Sequence, residues 1–195
     1  MEQLCEKVAA ALVRNGWVSA DKKDWVVYIL QKQILRCFGV GLFFVLLGWL
    51  AGWLNAAAFY IVFSQLRAHA GGWHAPKPWL CFVLSSAVAL AVGLLGPLVA
   101  PWPDWVHGLA AVLSLALLAV IAPVAPANLP FTPAEHAAHR RVMLGWLAFA
   151  AVGFALSSLF GWGDLAVYIA LALVCVCVTV IASKLCQPSQ SKEQK

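Results

Sequence analysis

Apolar positions near the start of the chain recur with a helical period. Met1, Leu4, Cys5, Val8, Ala9, Leu12 and Val13 fall on one face at i, i+3, i+4 and i+7 spacing, which predicts an amphipathic helix over residues 1–13. Asn15-Gly16 then supplies residues that tolerate a left-handed cap. Ser19 can cap a second helix whose apolar positions include Val26, Ile29, Leu30 and Ile34. Short helices with one charged face ahead of a long apolar run read as interfacial helices. Beyond residue 36 the period is lost and long uncharged stretches take over.

Those stretches predict the fold. No charge lies between Arg36 and Arg67, Lys77 and Asp104, Asp104 and Glu135, Arg141 and Asp164, or Asp164 and Lys184. A helix needs about 20 apolar residues to cross a hydrocarbon core of about 30 Å. Four spans follow, near residues 79–100, 105–122, 142–160 and 165–183. Residues 37–66 lie between two basic segments, so they must cross twice, re-enter or lie partly in the interface. A compressed hairpin turning near Gly52-Trp53-Leu54-Asn55 is the preferred arrangement. The expected class is all-α: a polytopic helical membrane protein of about six membrane helices, the first pair short, behind amphipathic N-terminal helices. One domain is expected over 1–195, with interfacial helices at 1–36, a transmembrane bundle at 37–183 and a cytoplasmic tail at 184–195.

Composition narrows the class further. With 63% apolar and 11% charged residues, the chain cannot clothe a soluble surface, for which about 25% charged is usual. This excludes a soluble enzyme, a disordered chain and a nucleic-acid binder. The net charge of +5 reports topology instead. Lys and Arg near span ends prefer the cytoplasmic side. Residues 1–36, the segment with Arg67 and Lys77, the segment with Arg140 and Arg141, and the tail from Lys184 are basic. The connectors near 101–104 and 161–164 carry only Asp104 and Asp164, which puts them outside. The six cysteines form no disulfide framework. Cys37, Cys175 and Cys177 sit in apolar runs, where a thiol acts as a small hydrophobe, and Cys5 and Cys186 lie near the termini. No cleavable signal peptide or prenylation signal is expected.

Two connectors are too polar and proline-rich to be simple turns, Arg67 to Cys81 and Ala122 to Arg141. Both fall on the cytoplasmic side of the charge pattern, so any chemistry belongs there. In the first, His74 and Cys81 stand seven apart, which is two turns on an unbroken helix. Pro76 and Pro78 interrupt such a helix, and Pro78 suits the first turn of the next one. Cys81 would then lie where the helix dipole favours thiolate, with an imidazole able to turn back toward it. Gly71-Gly72 permits tight turning and free N–H groups facing an oxyanion. Arg67 can hold a peptide carboxylate or backbone, or simply mark the boundary. The bland reading is packing and interfacial polarity. His69 is a rival base, and Ser85 and Asn128 are candidates for a third residue. His136 and His139 can bind a metal with His69 or His74, but the plainer reading is a solvated positive loop, so no metal and no cofactor are expected.

The run Arg67…Gly72…His74-Ala75…Cys81 resembles the signature of the accessory gene regulator B (AgrB) family, membrane cysteine endopeptidases of bacterial peptide quorum sensing. The proline-containing connector at 122–130 is similar to a cytoplasmic loop of that family. Here it is mostly Ala and Pro, where the family is often rich in Lys. The resemblance implies a multi-pass protein of the bacterial cell membrane with its active site on the cytoplasmic side. It implies Cys81 as nucleophile and His74 as base, with Arg67, Gly71 and Gly72 in support. It also implies an autoinducer precursor peptide as substrate and an acyl-enzyme that cyclises to a thiolactone or lactone. Membrane lipid is the other partner, and a homodimer is compatible with the pattern. The competing readings are a non-catalytic small transporter or peptide exporter, and a metal-binding membrane protein.

Overall fold

A computed structural model describes residues 2–19, 22–24, 26–27, 30, 41–42, 45–71, 78–124 and 132–186. The helices are α1 (Glu2–Arg14), α2 (Trp53–Ala70), α3 (Pro78–Val99), α4 (Asp104–Ile121), α5 (Pro133–Leu159) and α6 (Gly163–Cys186). A further helical stretch covers 45–51, and no strand ladder occurs among the described residues. The backbone forms two compact units, Met1–Phe43 with Ala75–Ala87, and Phe44–His74 with Val88–Lys195.

In the first unit, α1 has the expected amphipathic pattern in part. Cys5 and Ala9 are buried, whereas Leu4 and Val8 of the same apolar face stay exposed. Most of the second N-terminal helix lies outside the described residues.

The second unit is organised around α6, which packs against α2, α4 and α5. It buries 56% of its apolar window, against 22% each for α4 and α5, so α6 is central and the other two turn most of their apolar surface outward. That outward surface suits lipid rather than water. α4, α5 and α6 are long and apolar enough to cross a membrane, and Ser86–Val99 of α3 is a shorter apolar helix. Three such long helices among the described residues is fewer than the six crossings expected. α2 falls short because Asn55, Gln65, Arg67 and His69 dilute it.

Boundaries mostly follow the uncharged stretches. α3 begins at Pro78, whose missing N–H costs nothing in a first turn. The turn expected near 52–55 is a break at Gly52 (φ 85°) between the 45–51 stretch and α2. Two expectations are corrected. α2 continues through Arg67 to Ala70, because nothing in Arg67-Ala-His-Ala opposes a helix until Gly71. α5 begins at Pro133, well before residue 142. Thr132 and Glu135 form a capping box: Glu135 N–H donates to Thr132 Oγ1 (3.3 Å), and Thr132 N–H donates to Glu135 Oε2 (2.8 Å).

The second unit has two distinct ends. At one, His107 Nε2–H donates to the Val99 carbonyl (3.0 Å) across the α3–α4 turn, and Gly96 lies against the Tyr168 ring. Trp102, Trp105, Phe160 and Trp162 are exposed at this end, as expected of an aromatic belt at a membrane surface. The opposite end holds the termini of the two polar connectors.

Candidate active site at the meeting of two connectors

α2 ends because Gly71 adopts φ 73° and ψ −139°, a conformation that residues with a Cβ rarely enter. Gly71 pairs in a parallel bridge with Val124, and Val124 N–H donates to the Ala70 carbonyl (2.9 Å). The departure point of the first connector is thus bonded to the departure point of the second. Ala122-Pro123 just ahead of this bridge is a cis peptide.

A side-chain contact reinforces the bridge. His69 Nδ1 and His139 Nδ1 stand 3.3 Å apart, their rings tilted by 46° with centroids 5.5 Å apart. One Nδ1–H donates to the other, neutral Nδ1. Burial, and then the charge on His139, hold the His69 imidazole below the usual histidine range. Arg140 adds a third tie by donating from Nη2 to the Ala119 carbonyl at the end of α4 (3.3 Å). The ends of α2 and α4 and the start of α5 therefore interlock through residues far apart in sequence.

Arg67 is half-buried one turn before Gly71, on the same helix as His69. Cys81 is the fourth residue of α3, within the first turn, where backbone N–H groups lack intrahelical partners. That is the setting in which a thiolate is favoured. His74, Gly72 and Asn128 lie outside the described residues. Ser85 follows Cys81 by one helical turn along α3.

The imidazole cluster weighed as a metal site takes a different form. His139 meets His69, while His136 on the previous turn is exposed. No group of three or more His, Cys, Asp or Glu side chains among the described residues is arranged to hold a metal. Sequence reasoning grouped His136 and His139 with His69 or His74 as a candidate metal set, but it did not foresee a direct bond between His69 and His139. Their shared position at the ends of two connectors assigned to one side was the only signal available.

An all-helical bundle with several long apolar helices, and with two polar connectors bonded together at one end, defines a multi-pass membrane protein with a polar site at one face. The chain belongs to the accessory gene regulator B family, which matches residues 5–185. That membership connects it to the processing and secretion of autoinducer peptides, with a precursor peptide as partner. No curated protein and no solved structure matches the chain.

Proposed function

We propose that this protein is a membrane cysteine endopeptidase that cuts an autoinducer precursor peptide with Cys81 as nucleophile and His74 as general base. The observation that carries this reading is the Arg67, Gly72, His74, Ala75, Cys81 pattern inside a chain matched almost end to end by the family. The first-turn position of Cys81 on α3 supports it.

In this mechanism His74 takes the thiol proton and the Cys81 thiolate attacks the scissile carbonyl. The tetrahedral oxyanion is met by the N–H groups of Gly71 and Gly72, and Arg67 holds the peptide main chain. Collapse breaks the C–N bond, and His74 returns the proton to the leaving amine. The resulting thioester is attacked by an internal Cys thiol or Ser hydroxyl of the peptide. His74 takes the proton of that thiol or hydroxyl as the acyl group passes to its sulfur or oxygen, Cys81 leaves as thiolate and regains the proton from His74, and a thiolactone or lactone forms. Attack by water instead gives a linear acid.

The basic segments support a cytoplasmic site for this chemistry, in the proposed single membrane domain of six crossings whose short first pair is α2 and the segment before it. An exporter that moves a charged cargo needs ionisable groups along its path. The buried histidine of α4, His107, is instead committed to the Val99 carbonyl.

The test is co-expression with a candidate precursor peptide, reading cleavage by mass spectrometry. Cys81→Ala and His74→Ala should each abolish cleavage while the protein still inserts. Cleavage that survives both substitutions overturns the proposal.

A further inference from the structure

The His69–His139 contact lies beside the proposed catalytic connector and has no role in the chemistry above. It joins the last turn of α2 to the second turn of α5 over 70 positions of sequence. Two residues after His69, the chain leaves α2 at Gly71, where it is tied by its backbone to the second connector. The candidate base His74 is three residues further on. A rotation at the end of α2 would change the direction in which the chain leaves that helix at Gly71.

Resting on the peptidase reading, we infer that His69 and His139 form a positioning pair for that centre, fixing by their mutual hydrogen bond the point from which the catalytic connector departs. Neither ring is assigned contact with substrate. The pair acts through Gly71, and a directional donor–acceptor bond between rigid rings resists rotation of α2 better than apolar contact does.

The elements that meet at the pair carry several charged groups. Arg67 lies on α2, and Glu135, His136, Arg140 and Arg141 lie on α5. α4 presents the Ala119 carbonyl, which Arg140 already engages, and Lys184 is the exposed charge near the corresponding end of α6. Apart from Glu135, which is bonded to Thr132, these groups are basic. The bond holds while at least one of the two rings is neutral, and it breaks when both are charged.

The experiment uses the full chain in nanodiscs with two readouts. Histidine-selective 15N NMR should show a coupling between the His69 and His139 Nδ1 atoms that disappears in His139→Ala. Iodoacetamide labelling of Cys81, followed by peptide mass spectrometry across pH 5–9, should slow roughly tenfold at pH 6 in His139→Ala. Its profile should move toward that of an ordinary thiol near about pH 8.5. His139→Asn, which keeps a donor and an acceptor, should recover much of the rate, whereas a merely structural defect would not be rescued. Absence of the coupling in the wild type overturns the pairing. Coupling with an unchanged Cys81 profile in His139→Ala overturns the positioning role. Should the wild type and His74→Ala label alike, the peptidase reading fails as well, which separates the two failures.

Discussion

The carbonyl of Val124 occupies the space that a Cβ on Gly71 would need. An added methyl would overlap that oxygen and sit 3.0 Å from the carbonyl carbon, and the backbone there already has φ 73°. Both constraints bear on the one residue that ends α2 and starts the first connector. Glycine is thus required twice over, by torsion and by space, where two connectors approach backbone to backbone.

Gly71→Ala should therefore lower stability by about 1–3 kcal/mol through strain. It should also weaken the tie between Ala70 and Val124. Unfolding by SDS titration in detergent micelles measures this, and a midpoint equal to the wild type would contradict the assignment.

At the other end of the second unit Gly96 faces the Tyr168 ring closely enough that an added Cβ would overlap it. Gly96→Ala alone is expected to cost about 1–3 kcal/mol from overpacking. In a Tyr168→Ala background the same change should cost little more, because the obstructing ring is gone. Simple additivity in this double-mutant cycle would show that the two residues do not touch.

The His69 imidazole is held below its usual range by burial first and by His139 second. A histidine with a lowered folded pKa is favoured neutral by the fold, and the unfolded chain binds more protons just below about pH 6.5. Its contribution to stability is complete above that pH. It is eroded as pH falls below the unfolded value and exhausted once pH passes the folded one. The unfolding midpoint should drop on acidification from pH 7, and the drop should be smaller in His69→Gln. An identical drop in both proteins would remove His69 from the explanation.

Cysteine reactivity should separate the thiols by position. Cys177 is buried in α6 and donates to the Ser114 carbonyl (3.4 Å), and Cys175 lies on the same helix. Iodoacetamide in intact membranes should modify Cys81 well before either of them, and Cys177 should become reactive only after denaturation. Equal rates for Cys81 and Cys177 would count against an activated nucleophile at Cys81.

The start of α5 depends on its cap. Thr132→Ala removes an acceptor for the Glu135 N–H and should cost about 1 kcal/mol. Hydrogen bonds from Thr132, backbone first and then side chain, hold the Glu135 carboxyl below its usual range. The cap therefore contributes above the ordinary glutamate value of about 4.3 and fades as pH falls through the lowered folded value. Hydrogen-exchange protection factors, corrected for the intrinsic rate at each pH, should fall in the first turn of α5 at low pH in the wild type and at all pH values in Thr132→Ala. A protected first turn in that variant would refute the cap.

Much of the architecture could be read directly. Charge-free stretches place α3, α4 and α6 within a few residues, because charge is costly in a bilayer and clusters at the ends of spans. The start of α5 was also legible and was missed: Thr132-Pro-Ala-Glu135 carries both the capping-box spacing and a proline at the first helical position. The extension of α2 past Arg67 was missed for a different reason. A charge marks where a span ends, but a helix runs on until the backbone is stopped, here by Gly71. For the site, the sequence offered Arg67, His74 and Cys81 through a pattern of residue types, and it assigned the two connectors to one side through their charge. It set His139 beside either His69 or His74 as metal ligands and did not single out a direct His69–His139 bond.

The sequence by itself determined the helical class, most helix limits, the basic and acidic ends, and the Arg67–Cys81 pattern that the family match supports. Each of these depends on neighbours in the chain or on the cost of charge in lipid. The tertiary structure decided that α6 is central, that Gly71 abuts Val124, and that His69 bonds His139. Helices that are apolar all round carry no polar face to reveal which side packs inward, since lipid is as apolar as the bundle interior. Their contacts are chosen by shape and by a few hydrogen bonds between residues that no local period relates.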